Sequence, residues 1–253
     1  MFTPRQIMKR ARVLLLAGVA VGLLSACAAP ISQQHTGSIG TAGAGPNLSD
    51  LGARYQSNPR DKGTILAYST ALRAQGLGEQ SAAVLETGMS AFPGDRDIGI
   101  AYAKALTNAG RLEQALAVID NAIRPDLPDW NALSVKGAIL DQLGRNDEAR
   151  GLYGQALKLA PGEASVEANL GLSYAMTNEL PAAEQHLRRA AAMAGANTQV
   201  RQNLALVVGL QGRFEESRAL YAAELPPAEV EANVAYIKSL LSQTNRWDRV
   251  ARN

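Results

Sequence analysis

The groups in this chain that could do chemistry are few. There is one cysteine, Cys27, and there are two histidines, His35 and His186. A lone thiol has no second cysteine with which to form an internal disulfide or a thiolate metal site. His186 stands between Glu184 and Arg188 in an Ala-rich, charged stretch, the pattern of a solvated helix face. His35 is too far away in sequence to share a spaced metal motif with it. No glycine-rich phosphate loop of either common type is present. The acidic pairs Asp147-Glu148 and Glu215-Glu216 fall at helix starts, where a carboxylate offsets the macrodipole. Paired acid–base catalysis has no evident cleft. The expectation is a protein that is not an enzyme, with no catalytic residue, no metal, no cofactor and no small-molecule substrate.

What remains for Cys27 is covalent modification. Residues 1–12 are basic, Val13–Leu24 is an unbroken apolar run, and Ser25 and Ala26 are small. That is the three-part pattern of a secretory signal. The run is short of the roughly 20 apolar residues that a spanning helix needs. Leu24-Ser25-Ala26-Cys27 resembles the lipobox of bacterial lipoproteins. The resemblance implies lipid attachment at Cys27 through a thioether, then cleavage before it. Two or more acyl chains give stable anchoring at about 0.8 kcal/mol per buried CH₂. The following residue is Ala28 rather than Asp, which in such lipoproteins implies sorting to the outer membrane, facing the periplasm. Residues 28–47 are rich in Gly, Ser and Ala and read as a tether, with a mean reach of roughly 25 Å.

The formal charge of +2 belongs to the whole chain. Four of its 25 basic residues (Arg5, Lys9, Arg10 and Arg12) lie in the first 26, which hold no acid. Without that segment, 21 basic residues face 23 acidic ones, a balance of about −2. This excludes the basic field that nucleic-acid binding requires, so no nucleic-acid partner is expected.

The elements behind these residues repeat. Frames of 34 residues from Lys62 align five units without a gap: 62–95, 96–129, 130–163, 164–197 and 198–231. Position 8 of each is small (Ser69, Ala103, Gly137, Gly171, Ala205), and so is position 20 (Ser81, Ala115, Ala149, Ala183, Ser217). Position 11 is large (Leu72, Leu106, Leu140, Tyr174, Val208), as is position 24 (Leu85, Ile119, Tyr153, Leu187, Tyr221). Position 15 is Gly76, Gly110, Gly144, Asn178 or Gly212, and position 32 is proline at Pro93 and Pro161. Small residues let two antiparallel helices approach while large ones fill the space beside them. Gly or Asn ends the first helix in a left-handed turn, and proline stops the second.

The pattern resembles the tetratricopeptide repeat over Lys62–Glu231. It implies an all-α, right-handed superhelical solenoid of about five repeats. Asn47–Asn58 supplies a preceding half repeat, and a capping helix opens at Pro226-Pro227 and runs to about Gln243. About twelve helices and no strand are expected. Glu167 and Arg201 depart from the family pattern at position 4, where a large apolar residue is usual, as do Lys136 at position 7 and Glu224 at position 27, where Gly88, Ala122, Ala156 and Ala190 are small. The domain layout is a signal over 1–26, lipidated Cys27 and linker over 27–47, a repeat domain over 48–245 and a tail over 246–253.

In that family the first helices line a concave groove through positions 2, 5, 9, 12 and 13. The first half of this groove is polar, with Asp97, Lys104, Thr107, Asn108, Asn131, Ser134, Asp141 and Gln142. The second is apolar, with Ala168, Leu172, Ala175, Met176, Leu206 and Leu210. The candidate partner-binding residues are Lys104, Asn108, Asn131, Asp141, Leu172, Met176, Leu206 and Leu210. An amphipathic helix or extended tail of a protein partner could lie on the apolar half. Alternatively, Leu172, Leu206 and Leu210 pack between units or beneath the C-terminal helix.

The last third carries Arg201-Gln202-Asn203-Leu204-Ala205-Leu206, Gly209-Leu210-Gln211-Gly212-Arg213-Phe214, Ala232-Asn233-Val234-Ala235-Tyr236, Leu240-Leu241-Ser242-Gln243 and Trp247. With the lipobox and a short repeat array, it resembles the TadD-type lipoproteins of tight-adherence (Tad/Flp) pilus machines. The resemblance implies a non-enzymatic outer-membrane assembly factor, assisting localisation or assembly of the secretin or another pilus component. The alternative is a general periplasmic adaptor lipoprotein that docks cell-envelope enzymes.

Overall fold

The computed structural model describes residues 47–250, with side chains to 243. The signal segment, Cys27 and the tether to residue 46 lie outside the described residues. Among those described, every regular element is an α-helix. The twelve helices are α1 (Leu48–Ser57), α2 (Lys62–Ala74), α3 (Gly78–Ala91), α4 (Arg96–Asn108), α5 (Leu112–Ala122), α6 (Trp130–Gln142), α7 (Asn146–Leu159), α8 (Ala164–Met176), α9 (Leu180–Ala192), α10 (Thr198–Leu210), α11 (Phe214–Ala222) and α12 (Pro227–Val250). The capping helix runs to Val250, past the end expected near Gln243, so residues 246–250 of the expected tail continue it.

First helices and second helices begin differently. Asp61, Asp95, Asp129 and Asn197 cap α2, α4, α6 and α10 by accepting a hydrogen bond from the amide three residues on. The second helices α3, α5, α7, α9 and α11 have no side-chain cap and start directly from a tight turn, while α1 is capped by Asn47 and the first helix α8 is uncapped. Position 15 makes that turn: Gly76, Gly110, Gly144 and Gly212 have φ between 74° and 83°, and Asn178 has φ 64°. In four turns the next amide reaches back to the carbonyl at position 11, as Leu77 N does to Leu72 at 3.0 Å and Glu179 N does to Tyr174 at 2.9 Å. This is the Schellman closure, which satisfies helix-end carbonyls otherwise left bare.

The described residues divide into two compact units, 47–143 and 144–250. In the first, each helix packs on its neighbour from α1 to α6, and the first helices also touch one another, α2 on α4 and α4 on α6. Second helices make no comparable mutual contact. The unit therefore curves toward its first-helix side. Its core is built on Ile65, Leu72, Leu85, Ile98, Leu106 and Ile119, each at most 1% exposed. The second unit repeats the arrangement, with α8 on α10 and α10 on α12. Val230, Val234 and Ile237 bury one face of α12 on Ala205 and Tyr221.

The small positions do the work read from them. A β-carbon on Gly171 would stand 2.9 Å from Leu187 Cγ and 3.1 Å from the Ala183 carbonyl oxygen. Where position 20 is serine, its buried hydroxyl donates to the position 8 carbonyl: Ser81 to Ser69 at 2.8 Å and Ser217 to Ala205 at 2.7 Å. Nine of the ten large residues at positions 11 and 24 are buried; Tyr174 is half-buried.

Candidate functional site

In the first unit, the exposed sides of α2, α4 and α6 enclose a concavity of about 130 Å³. Helix periodicity places Ser69, Thr70 and Arg73 on its α2 wall and Asp97, Ile100, Ala101 and Lys104 on its α4 wall; Asn131 closes it from α6. Small-molecule pockets run to roughly 300–1,000 Å³. This space suits a side-chain headgroup rather than a cofactor.

Its electrostatics are set by burial. Lys104 donates to Asn131 Oδ1 at 2.9 Å. Burial, and then the nearby charge of Arg73, push the Lys104 amine below its ordinary range against the pull of Asp129. Burial likewise lowers Arg73, though a guanidinium stays charged at any working pH. On the rim, Lys62 Nζ bridges Asp95 at 2.7 Å and Asp97 at 2.8 Å. Burial would raise the Asp95 carboxyl, but the hydrogen bonds from Lys62 and the Ile98 amide leave it below the usual carboxylate range.

Of the polar residues read from sequence, Lys104 and Asn131 come together here, with Asp97 at the rim. Asn108 and Asp141 do not line the concavity; Asn108 is exposed and Asp141 is buried. The sequence reading missed Thr70 and Arg73. They occupy positions 9 and 12 of the first repeat, 62–95, and the position rule used for later repeats finds them when applied there.

In the second unit, Leu172 and Met176 are half-buried on α8. Leu206 and Leu210, on α10, pack against the cluster beneath α12 together with Phe214 and Leu241. These two leucines thus have an intramolecular role, as the second of the two sequence readings allowed.

His186 is not the solvated residue its neighbours suggested. It stacks on Tyr174 with ring centroids 5.2 Å apart, and its Nδ1 lies 3.0 Å from Glu167 Oε1. Arg150 also lies over the Tyr174 ring, 4.1 Å from its centroid. Glu167 is buried and also accepts from Arg189. The position 4 departures are therefore paired: Glu167 with His186 and Arg189, and Arg201 with Glu224. Lys136 at position 7 pairs with Asp120 at 2.7 Å.

Among the described residues no group of three His, Cys, Asp or Glu could hold a metal ion, and no helix is long and apolar enough to cross a membrane. Tetratricopeptide-repeat models match residues 54–137 and 135–198, together more than half of the chain. The chain belongs to the tetratricopeptide-repeat family. Its repeats are those of a protein-interaction scaffold. Among solved structures it is similar to a thermophilic TPR protein of Thermus thermophilus, with a TM-score of 0.62 at 22% identity, covering 72% of this chain and 99% of that one. The Cut9–Hcn1 hetero-tetramer of the APC/C (TM-score 0.58, 16% identity) matches over 74% of this chain and 39% of its own. The human IFIT1 dimer with PPP-AAAA (0.58, 14%) matches over 70% of this chain and 44% of its own. At these identities the likeness is one of fold. Comparison with curated proteins gives no match.

Proposed function

We propose that this protein is a lipid-anchored scaffold on the periplasmic side of the outer membrane, and that it binds protein partners along its first-helix faces during Tad/Flp pilus assembly. The observation that carries the binding role is the first unit's groove, where Lys104 and Asn131 present donors and an amide in a concavity sized for a side chain. Leu172 and Met176 offer an adaptable apolar counterpart on α8. The lipobox-like Leu24-Ser25-Ala26-Cys27 supports the anchor, and the segment from Arg201 to Trp247 supports the pilus system. Anchoring suits a scaffold for a membrane-embedded secretin because it raises the effective concentration of one near the other.

The test is crosslinking in cells, followed by pull-down of the lipidated protein and identification of partners by mass spectrometry. Recovery of a secretin or another pilus-assembly component is expected. Recovery of cell-wall enzymes without any pilus component would overturn the pilus role in favour of the general adaptor. The anchor is tested separately: labelled palmitate enters the wild-type protein and is absent from Cys27→Ser.

A further inference from the structure

In the fourth repeat, His186 Nδ1 is shared by two groups with opposite demands. Arg189 Nη2 lies 2.7 Å from this nitrogen and Glu167 Oε1 lies 3.0 Å from it. A guanidinium only donates, so it requires a lone pair on Nδ1. An ionised carboxylate only accepts, so it requires a proton there. One ring nitrogen cannot supply both. Arg189 Nε closes the triangle by donating to the same Glu167 oxygen. The Glu167 and His186 side chains are 6% and 16% exposed, whereas that of Arg189 is 45% exposed.

The other charges around the ring are already engaged. Helix α9, which carries His186, packs on α8 and α10. Glu167 is the single charged residue of α8, and Tyr174 of the same helix stacks on the imidazole. Arg201, the single charge of α10, is held by Glu224. On α9 itself, Glu184 and Arg188 bind each other, and they also bind Arg213 and Glu216. Arg150 of α7 lies over the Tyr174 ring and is paired with Glu179. The triangle of Glu167, His186 and Arg189 thus has its own proton to settle.

We propose that this triangle is a pH-sensitive switch in which Glu167 exchanges partners. With His186 neutral and its proton on Nε2, Nδ1 accepts from Arg189, and the Arg189 fork holds the ring and Glu167 together. When Nδ1 takes a proton from water, it donates to Glu167, and the Nη2 arm of Arg189 loses its acceptor and turns out to solvent. Histidine is the side chain whose charge changes between pH 5 and 8. The Tyr174 face tolerates the imidazolium, since a cation over an aromatic ring is attracted to it. One charge-assisted hydrogen bond replaces another. Helices α8 and α9 therefore stay joined while Arg189 passes from engaged to free on the surface of α9.

Nitrogen NMR of the full chain in detergent, with labelled histidine, reads the switch directly; His35→Gln leaves His186 as the single histidine. At about pH 8, Nδ1 should be the bare nitrogen and Nε2 the protonated one, and at about pH 5 both should carry protons. Double-mutant cycles in urea then identify the partner of Glu167 at each pH. The coupling between Glu167→Gln and Arg189→Gln should fall by about half or more from pH 8 to pH 5. Over the same range, the coupling between Glu167→Gln and His186→Gln should rise from near zero to a comparable size. Circular dichroism checks that every variant is folded. A proton on Nδ1 at pH 8, or a Glu167–Arg189 coupling that is equal at the two pH values, overturns the switch. If the Glu167 variants do not fold, the pH 8 tautomer of His186 alone decides it, because that measurement needs none of them.

Discussion

Arg201 and Glu224 are an ion pair set where the first three repeats place small or apolar side chains against each other. They stand at positions 4 and 27 of the fifth repeat. In the first repeat those positions are Ile65 and Gly88, so close that a β-carbon on Gly88 would meet Ile65 Cγ2 at 3.1 Å. In the second they are Gly99 and Ala122, with a corresponding approach of 3.2 Å. The pair ties α10 to the residues just after α11, and the Arg201 guanidinium also donates to the Ala196 carbonyl at 3.1 Å, in the turn before α10. Removing one member strands the other charge, whereas replacing both by an apolar pair restores the usual packing. Thermal melting should therefore show Glu224→Ala less stable than Arg201→Leu/Glu224→Ala. Strictly additive effects of the two substitutions would rule out this coupling.

Glu184 couples α9 to α11 through its neighbours. Burial would raise its carboxyl, but hydrogen bonds from Arg213, Gln211 and Arg188 outweigh that and hold it at about 2. Arg213 Nη1 and Gln211 Nε2 both lie 2.7 Å from Glu184 Oε2. A carboxylate with a depressed folded-state pKa stabilises fully above its unfolded value, here 4.5, and loses that contribution as pH falls toward about 2. Urea unfolding of wild type and Glu184→Gln should show the largest gap at pH 7, a smaller one at pH 3 and almost none near pH 2. A gap that does not change with pH would refute this role for the charge.

Two glycines in second-unit helices should respond in opposite directions to the same substitution. Gly154 lies inside α7, and a β-carbon there meets nothing within 4 Å. Gly154→Ala should stabilise by about 0.5–1 kcal/mol, the helix-propensity gain. Gly171 faces Leu187 and the Ala183 carbonyl, a backbone atom that cannot step aside. Gly171→Ala should destabilise by about 1–3 kcal/mol from overpacking. Denaturant midpoints of the two variants check both signs.

Much of this was legible in the sequence because the repeat fixes backbone geometry through residue size. Small positions 8 and 20, large positions 11 and 24 and the turn residue at 15 each express one steric demand, and the helices follow from them. What periodicity could not show was how departures are repaired. Glu167, Lys136, Arg201 and Glu224 look like irregularities along the chain, because their partners His186, Asp120 and each other come from neighbouring helices. The same limit left Leu206 and Leu210 open between two readings: a leucine on the groove side of a helix reads the same whether it meets a partner or, as here, the chain's own α12. In the first unit the concavity was only half read, because Arg73 and Thr70 belong to a repeat whose groove positions were not considered.

The turn at Asn178 offers a test of the steric argument itself. The equivalent residue in the other four turns is glycine, while Asn178 holds φ 64° with a side chain attached. The left-handed region costs an L-residue roughly 1–2 kcal/mol, and asparagine tolerates it better than alanine does. The closing hydrogen bonds are the same: Asn178 N to the Ala175 carbonyl at 2.9 Å parallels Gly110 N to Thr107 at 3.1 Å. The turn thus fixes the conformation, and the residue only sets its cost. Stability should rank Asn178→Gly above wild type and wild type above Asn178→Ala, with a total spread of about 1–2 kcal/mol. At Gly110, where φ is 76°, Gly110→Ala should lose about as much as separates the two Asn178 variants. Equal stabilities of Asn178→Gly and Asn178→Ala in denaturant titrations would mean that the left-handed turn is not what position 15 demands.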